Sequence, residues 1–457
     1  MPYIANTDQD RLDMLAEIGV STVAELWEKA GVLDPPPALA NVPEGRSEFE
    51  VIGKLRQLAD LNAHELVSFL GSGFYDHLIP AVVGEVIGRT EFYTAYTPYQ
   101  PEASQGTLQA MYEFQTAICR LTGMEVSNAS HYDGGTALYE GMMMGMRLTR
   151  KRRVVMSGTV SPIYREMIRC YSQNLDIELV TAPAPTEGAC SNQDNLISML
   201  NDETACVLVQ YPNVFGTVED WTRLVQEAQS RKIMTVCSTY PTALSLITPP
   251  GDFGFDIVTG EGQALGIPLS FGGPYLGFIT TRKKHMRQLP GRLVGRTVDN
   301  NGKDGFVLTL QAREQHIRRN KATSNICTNE GLCAMAAIAY LSTIGKEGFT
   351  HLGELCASKA AYTRNILTRI PGVEGLEQPS FFNEFVIRLP MEAAEFVGQM
   401  IDKGFAPGFP LSRYYPNRKC DLLVAVTEKR TREEIRTMAA AAEAVLANNG
   451  ALGGFQP

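Results

Sequence analysis

This 457-residue chain lacks long hydrophobic runs, and this absence excludes a membrane-spanning helical protein. No stretch approaches the ~20 apolar residues that a membrane-spanning helix needs, so we expect no membrane partner. The first residues, Met1 to Thr7, lack a basic region followed by an apolar run, which argues against a secretory or organelle-targeting peptide. The sequence therefore predicts a cytoplasmic protein.

Paired disulfide and metal-ligand motifs are also lacking. The nine cysteines contain no Cys-x-x-Cys pair, and most lie in apolar runs, which is typical of reduced thiols in a protein core. The six histidines show no metal-ligand spacing, so we expect no metal site. Positive charge is in deficit as well. Lys and Arg number 41 against 50 Asp and Glu, and the resulting net charge of −9 disfavours nucleic-acid binding.

What the chain does contain is an alternation of apolar runs and helical patterns between about residues 154 and 281. Strands separated by helices at this spacing predict an α/β fold with a doubly wound, mostly parallel sheet. The runs lack polar–apolar alternation, as expected where helices cover both faces of a sheet. The six predicted strands are Val154–Met156, Ile177–Val180, Cys206–Tyr211, Met234–Cys237, Phe255–Val258 and Leu276–Thr280.

The two ends of the chain differ from this central region. Before it, amphipathic patterns predict helices at Asp10–Ile18 and Glu48–Leu70. After it, a long Ala- and Met-rich helix beginning near Asn329 is followed by two strands and two helices. We therefore predict three domains: an N-terminal helical arm at 1–65, a large α/β domain at 66–325 and a smaller C-terminal α/β domain at 326–457.

The most distinctive stretch, Tyr93–Gly106, is rich in tyrosine and in carboxyl and amide side chains. Its two prolines prevent regular secondary structure, so it is predicted to be a loop. Because loops carry binding and catalytic groups disproportionately, we interpret it as a functional loop. The alternative is a packed loop whose tyrosine hydroxyls bind its own backbone.

Two further stretches carry polar groups in patterns typical of binding sites. In Ser127–Leu138, two glycines and a threonine precede an apolar helix. The free N–H groups of such a turn can hold a phosphate, although ordinary tight turns share the pattern. In Arg313–Thr328, a basic helix is followed by a small polar turn.

Together, the three stretches resemble the glycine decarboxylase P-protein family of the glycine cleavage system, and the resemblance extends over nearly the whole chain. In some bacteria this enzyme is split into two chains, and the sequence is similar to the first of them, subunit 1. The resemblance implies the fold of pyridoxal-phosphate-dependent transferases, the aspartate-aminotransferase type I fold, with pyridoxal phosphate at a dimer interface. It also implies an enzyme complex, glycine dehydrogenase (aminomethyl-transferring, decarboxylating).

The same resemblance implies that this chain does not anchor the cofactor. Enzymes of this fold need a lysine for the imine bond, an aspartate for the pyridinium nitrogen and a ring that stacks on the cofactor. Comparison with the catalytic half of the family places Gln263, Thr239 and Val160 at these positions. We therefore expect the isolated chain to be inactive, and pyridoxal phosphate to be bound covalently by a homologous partner chain, subunit 2.

The resemblance also implies which residues of this chain contribute to the partner's site. The catalytic candidates are Tyr96, Tyr99, Glu102 and Gln105. The cofactor-binding candidates are Thr323, Ser324 and Asn325, in a turn that is expected to reach the phosphate of the partner's pyridoxal phosphate. Threonine, serine and asparagine are also favoured helix caps, so this turn could equally begin the helix that follows it.

The implied complex has further components. Two copies of each chain would form a heterotetramer, glycine would be the substrate, and a lipoylated H-protein would accept the aminomethyl group. A basic segment, Arg282–Arg287 with Arg292 and Arg296, is either a solvated helix face or a rim that attracts an acidic H-protein.

Two other interpretations stay open at this point. The chain could be a pseudoenzyme scaffold or regulator of the catalytic subunit, which is favoured if the polar groups of Tyr93–Gly106 only pack internally. It could also be an independent pyridoxal phosphate enzyme, but the turn expected to carry the lysine, Thr259–Pro268, contains none.

Overall fold

The computed structural model describes residues 5–32, 42–43, 45–270 and 272–449, which belong to two compact units divided between His64 and Glu65. An extended break that the sequence predicts at Pro35–Pro37 lies outside the described residues. The second unit contains every described strand and every residue singled out above as catalytic or cofactor-binding. The boundary predicted near residue 325, between a large and a small domain, stays a prediction.

The first unit consists of the helices α1 (Asp8–Ile18), α2 (Val23–Lys29) and α3 (Glu48–Ala59). Each begins after a threonine or serine whose side chain accepts a hydrogen bond from a backbone N–H of the first turn. The helix predicted at Glu48–Leu70 is too long, because it ends at Ala59. Further along, Val67–Ser68 forms strand β1, which pairs in parallel with residues 405 and 406.

A seven-stranded sheet forms the centre of the second unit. Its strands are β2 (Val126–Ser127), β3 (Arg153–Met156), β4 (Glu178–Thr181), β5 (Thr204–Tyr211), β6 (Met234–Thr239), β7 (Ile257–Glu261) and β8 (Gly277–Thr281). They lie in the order β2-β8-β7-β6-β5-β3-β4, with β8 antiparallel to both neighbours and the five strands from β7 to β4 parallel. All six predicted strands are confirmed, with their ends displaced by at most three residues.

Helices cover both faces of this sheet. The helices before β9 are α4 (Ala81–Ile87), α5 (Thr90–Tyr93), α6 (Gln105–Thr122), α7 (Gly134–Thr149), α8 (Pro162–Ser172), α9 (Gln193–Ser198), α10 (Thr222–Ser230) and α11 (Pro250–Phe253), and α12 (Gln315–Arg318) lies further along the chain. Because side chains alternate along a strand, Val207 and Val209 of β5 pack in one apolar cluster with α10, while Leu208 packs in another with α7. The missing polar alternation in the sequence follows from this double coverage.

The rest of the second unit begins with the antiparallel hairpin of β9 (Leu293–Val298) and β10 (Asp304–Thr309). Helix α13 (Gly331–Leu367) changes direction at Gly345, whose φ of 63° is an angle that glycine adopts readily. The remaining elements are β11 (Glu374–Gly375), β12 (Glu384–Arg388), α14 (Ala393–Ile401), β13 (Phe405–Ala406), β14 (Phe409–Pro410), β15 (Asp421–Ala425) and α15 (Arg432–Asn448). Strands β11, β12, β15 and β14 form a small antiparallel sheet. Within the described residues, no helix has the length and apolar character needed to cross a membrane.

Candidate functional site

The carboxyl ends of three central strands meet at one edge of the large sheet, at Tyr211, Thr239 and Glu261. Ligands of open α/β folds bind beyond this edge. In this chain the cavity beside it measures about 20 Å³, which is room for about one water molecule. Ligand pockets usually measure roughly 300 Å³ or more, so the edge is closed to a molecule of cofactor size.

Gln263, the residue at the expected lysine position, is 2% exposed, and its side chain is fully engaged with backbone groups. Its Nε2 donates to the carbonyl oxygens of Tyr75 (3.1 Å) and Ile267 (2.8 Å), and its Oε1 accepts from the N–H of Tyr75 (2.9 Å). A carboxamide nitrogen does not form the imine that a lysine amine forms. Gln263 instead joins the turn after β7 to the segment around Tyr75.

Glu261 lies where the glycine-containing turn was predicted to hold a phosphate. The N–H of Gly134, the first residue of α7, donates to Glu261 Oε2 at 2.9 Å, while Gln263 and Leu276 donate their N–H groups to Oε1 at 2.9 and 3.1 Å. Burial raises the pKa of Glu261 to about 7. A side chain on Gly134 would come within 2.5 Å of Tyr164 Oη. The group that accepts a hydrogen bond at this helix terminus is therefore a carboxyl group of the chain itself.

A second buried carboxyl group, that of Glu384 in β12, also lines the small cavity at the sheet edge. Tyr75 donates its hydroxyl to Glu384 Oε2 at 2.6 Å, and the N–H of Ser72 donates to Oε1 at 2.6 Å. Burial also raises the pKa of Glu384 to about 7. Strand β12 is thereby joined to the segment 72–75 beside the small cavity at the sheet edge.

Thr239 and Val160, the residues at the other two expected cofactor positions, face inward. Thr239 donates its hydroxyl to the carbonyl oxygen of Tyr211 at 2.7 Å, and Val160 is fully buried in an apolar cluster. Neither supplies the negative charge or the ring that the cofactor requires. The residues at this edge thus do not fit pyridoxal phosphate, because the lysine and the aspartate are missing and Glu261 takes the anion position.

The loop predicted at Tyr93–Gly106 forms a different kind of surface. It has no regular structure between α5 and α6, as predicted, although α5 includes Tyr93 and α6 begins at Gln105. Tyr96 is 79% exposed, and Glu102 is also exposed. Tyr99 is 47% exposed. Its ring lies edge-on to that of His316, and its hydroxyl accepts a hydrogen bond from the buried Arg292.

Gln105 is the member of the predicted set whose side chain is committed to the backbone. Its Nε2 donates to the carbonyl oxygens of Pro101 (2.7 Å) and Phe306 (2.9 Å), and its Oε1 accepts from the N–H of Phe306 (2.9 Å). These bonds attach the first residue of α6 to strand β10. The position is suited to holding the loop rather than to contacting a substrate.

The predicted turn Thr323–Asn325 belongs to a longer segment, the turn 323–328, which lies beside the loop in the structure. Thr97 and Thr328 share a hydrogen bond between their hydroxyl groups, which joins the two segments directly. Within the turn, the Ser324 hydroxyl donates to Glu140 Oε1 at 2.7 Å and accepts from the N–H of Ile326 at 3.1 Å. Asn325 is exposed. The turn does not cap α13 directly, since that helix begins at Gly331.

A buried arginine, Arg292, connects these two segments, and the sequence interpretation placed it wrongly on a basic surface. Arg292 is 1% exposed, and its Nη2 donates to the Tyr99 hydroxyl at 2.6 Å and to Cys327 Sγ at 2.9 Å. Its Nη1 pairs with the buried carboxylate of Glu314. Although burial acts to raise the pKa of Cys327, the Thr328 hydrogen bond and the Arg292 charge together lower it.

Other members of the predicted basic segment are also engaged within the chain. Arg296 pairs with Asp304 across the β9–β10 hairpin, with Nε 3.1 Å from the carboxylate. Arg282 donates to backbone carbonyl oxygens, including that of Phe255 at 3.1 Å. Lys283, Lys284 and Arg287 stay exposed, so the basic surface is smaller than the sequence suggests.

The order of the seven strands and the helices on both faces define the class of protein: a pyridoxal-phosphate-dependent enzyme fold of type I. The same fold occurs in a sphingosine-1-phosphate lyase of Burkholderia pseudomallei, with a TM-score of 0.65 and 14% identity over 90% of this chain and 93% of that one. It also occurs in a glutamate decarboxylase of Lactobacillus brevis, with a TM-score of 0.66 and 12% identity over 96% and 98%.

The chain belongs to the glycine cleavage system P-protein family, whose model matches residues 1–441. A crystal structure of glycine decarboxylase (P-protein) of the glycine cleavage system, in inhibitor-bound form, superposes with a TM-score of 0.89 and 38% identity over 98% of this chain and 100% of that one. Two relatives named probable glycine dehydrogenase (decarboxylating) subunit 1, from Geotalea daltonii and Geotalea uraniireducens, are 50% and 51% identical over 98% of this chain and 100% of each relative.

These comparisons confirm the expected family and the expected fold. The chain is one subunit of a two-subunit glycine decarboxylase.

Proposed function

We propose that this chain is the subunit that does not anchor pyridoxal phosphate, and that the homologous second subunit binds it covalently. One observation carries the proposal: the sheet edge where the fold places its cofactor is filled by Gln263, Glu261 and Glu384. This closure counts against an independent pyridoxal phosphate enzyme, because opening the edge would break hydrogen bonds of buried groups.

The contribution of this chain is instead the surface formed by the loop 95–104 and the turn 323–328, which completes the cofactor pocket of the partner. The support is that Tyr96, Glu102 and Asn325 present polar groups outward from two hydrogen-bonded segments. Tyr96, Tyr99 and Glu102 bind and orient the substrate there. Thr323 and Asn325 approach the cofactor phosphate, while Ser324, bound to Glu140, and Gln105, bound to Phe306, hold the segments in place.

The substrate of the complex is glycine, and a lipoylated H-protein receives the aminomethyl group after carbon dioxide has left. Pyridoxal phosphate supplies the electron sink for the decarboxylation when it is bound to the partner. The residues of this chain exclude water and fix the direction of the substrate carboxylate. The complex contains two copies of each chain and works in the cytoplasm.

The proposal is tested by purifying each chain alone and the two together. Expected results are cofactor absorbance and a borohydride-stable adduct only in the partner chain, and glycine decarboxylation only in the mixture. Gln263→Lys in this chain is the matched variant, and it gains neither adduct nor activity because the edge stays closed. Stoichiometric cofactor on this chain alone contradicts the proposal.

A further inference from the structure

Arg292 is the point at which three separate segments of the surface meet. Its guanidinium contacts the loop through Tyr99, the start of α12 through Glu314 and the turn through Cys327. Its Cζ also lies 5.1 Å from the centre of the Tyr99 ring. The backbone of Arg292 is fixed as well, because its carbonyl oxygen accepts the N–H of Ala129 at 2.9 Å.

The geometry of these contacts requires a guanidinium. Nη2 donates hydrogen bonds to both the loop and the turn. Nη1 forms the ion pair with the carboxylate of Glu314 and lies 3.4 Å from His316 Nδ1. A planar fork of fixed N–H directions can hold several partners apart at once, whereas a lysine ammonium on a flexible stem cannot. Glu314 is buried too, so the positive charge of Arg292 and the negative charge of Glu314 compensate each other inside the protein.

We propose that Arg292 is a positioning residue for the shared active site. Its guanidinium fixes Tyr99 relative to the turn 323–328, so that loop and turn meet the partner's cofactor pocket as one rigid unit. The inference rests on the proposed function, since it assigns a cause to the arrangement of the same surface. Arg292 itself contacts neither substrate nor cofactor, and it acts through Tyr99 and Cys327.

The test is a double-mutant cycle on the assembled two-chain enzyme, with the variants Arg292→Lys, Tyr99→Phe and both together. Arg292→Lys is expected to lower kcat for glycine decarboxylation by about 10- to 100-fold, since displacing a contact group by about 1 Å can have that effect. The double variant is expected to be no slower than the slower single variant, because Tyr99→Phe removes the hydroxyl that Arg292 holds.

A second measurement does not depend on turnover. The cofactor-free complex is titrated with pyridoxal phosphate and followed by absorbance, and Arg292→Lys is expected to weaken cofactor binding severalfold because the turn loses its support. Should Arg292→Lys fail to assemble, Arg292→Gln combined with Glu314→Gln removes both buried charges and leaves none unpaired. The same losses of kcat and cofactor affinity are expected from that variant.

The chain offers a matched control in Arg165, which makes the same kind of contact elsewhere. Its Nη2 donates to the Tyr415 hydroxyl at 3.1 Å, and its Cζ lies 5.5 Å from the centre of that ring. Arg165→Lys removes an equivalent arginine–tyrosine contact away from the loop and the turn. It is expected to leave kcat and cofactor affinity unchanged.

The outcomes separate this inference from the proposed function. Wild-type kcat and cofactor affinity in Arg292→Lys, with a slow Tyr99→Phe enzyme, overturn the role of Arg292 alone. Losses that multiply independently in the double variant also overturn it, since they show that Arg292 does not act through Tyr99. Unchanged rates in Tyr96→Phe, Tyr99→Phe and Glu102→Gln would instead remove the proposed function of the loop.

Discussion

The two places where this subunit could meet a cofactor are built in opposite ways. At the sheet edge, the amide of Gln263 and the carboxyl groups of Glu261 and Glu384 are buried and bound to the chain itself. On the surface of the loop and the turn, Tyr96 and Glu102 are exposed. Buried polar groups that are fully hydrogen-bonded stabilise a fold, whereas exposed polar groups on an ordered loop are available to a partner.

The difference shows how one fold can serve two purposes in a two-subunit enzyme. A helix N-terminus that would attract a phosphate keeps its affinity for anions, and here Glu261 satisfies it from within. The edge therefore needs no cofactor to be stable. If the two regions have separate roles, changes at the edge alter only stability and changes on the surface alter only the rate.

The largest effect is expected from the exposed surface. Tyr96→Phe and Glu102→Gln should each lower the rate of glycine decarboxylation by about 10²–10³-fold, since losing a hydrogen bond that acts in the transition state costs about 3–4 kcal/mol. The melting temperature should not change, because both side chains are exposed. Steady-state rates and melting curves of the assembled enzyme measure the two effects.

A matched control for the tyrosine is Tyr171, which is 48% exposed near the end of α8. Tyr171→Phe should preserve both rate and melting temperature. If Tyr96→Phe and Glu102→Gln match this control in an intact complex, the surface has no catalytic role, and the pseudoenzyme scaffold becomes the better interpretation of the chain.

The next largest effect is expected from the pH dependence of stability at the closed edge. Burial raises the pKa of Glu261 from its ordinary value of 4.5 to about 7. As the pH rises through this interval, the unfolded chain loses the proton first, so this group makes the folded state progressively less stable and has no further effect above the folded pKa. The change corresponds to about 3 kcal/mol.

Glu261→Gln removes this titration. The variant loses good hydrogen-bond acceptors for Gly134 and Leu276, so it should be less stable than the parent chain at low pH, with a difference that shrinks as the pH rises. Burial also raises the pKa of Glu384. This residue is present in both proteins, so its titration affects both stabilities equally and cancels in their difference. Urea unfolding of the free chain from about pH 4 to about pH 8 measures the difference. A difference independent of pH would show that folding leaves the pKa of Glu261 at its ordinary value.

The sequence was sufficient to predict the sheet, because its strands are continuous apolar runs that both faces bury. The missing lysine at Gln263 was also found, by resemblance. The occupant of the phosphate position was not found, although Glu261 is only two residues away, since its contact with Gly134 spans 127 positions. Local patterns carry no information about pairings of that separation.

The burial of single charged residues is the other feature that local sequence patterns do not predict. Arg292 follows a basic segment and was grouped with it, yet it lies inside the protein because Glu314 and Tyr99 approach it from distant parts of the chain. The signal that could have indicated this is the apolar run immediately after it, Leu293–Val294, which begins β9.

A smaller effect is expected from Tyr75→Phe at the closed edge. The substitution removes the hydroxyl that donates to Glu384 at 2.6 Å and leaves a buried carboxyl oxygen without that donor. It should lower the free energy of unfolding of this chain by about 1–3 kcal/mol. The rate of the fully assembled enzyme should stay at the wild-type value. A rate loss of the size expected for Tyr96→Phe would mean that the edge also takes part in catalysis.

The smallest effect is expected from Gln105→Ala. Gln105 combines a feature of each region, because it is exposed but its side chain is hydrogen-bonded to the backbone. Gln105 is on the exposed surface, but its amide binds both backbone groups of Phe306, so we expect it to behave like a residue of the closed edge. The free energy of unfolding should fall by about 1 kcal/mol, with only a small change in rate. Gln109→Ala, one turn further along α6, is the control, since Gln109 bonds to Glu113 on the same exposed helix face. A loss of rate near 100-fold in Gln105→Ala, with stability equal to the Gln109→Ala control, would return Gln105 to the catalytic set.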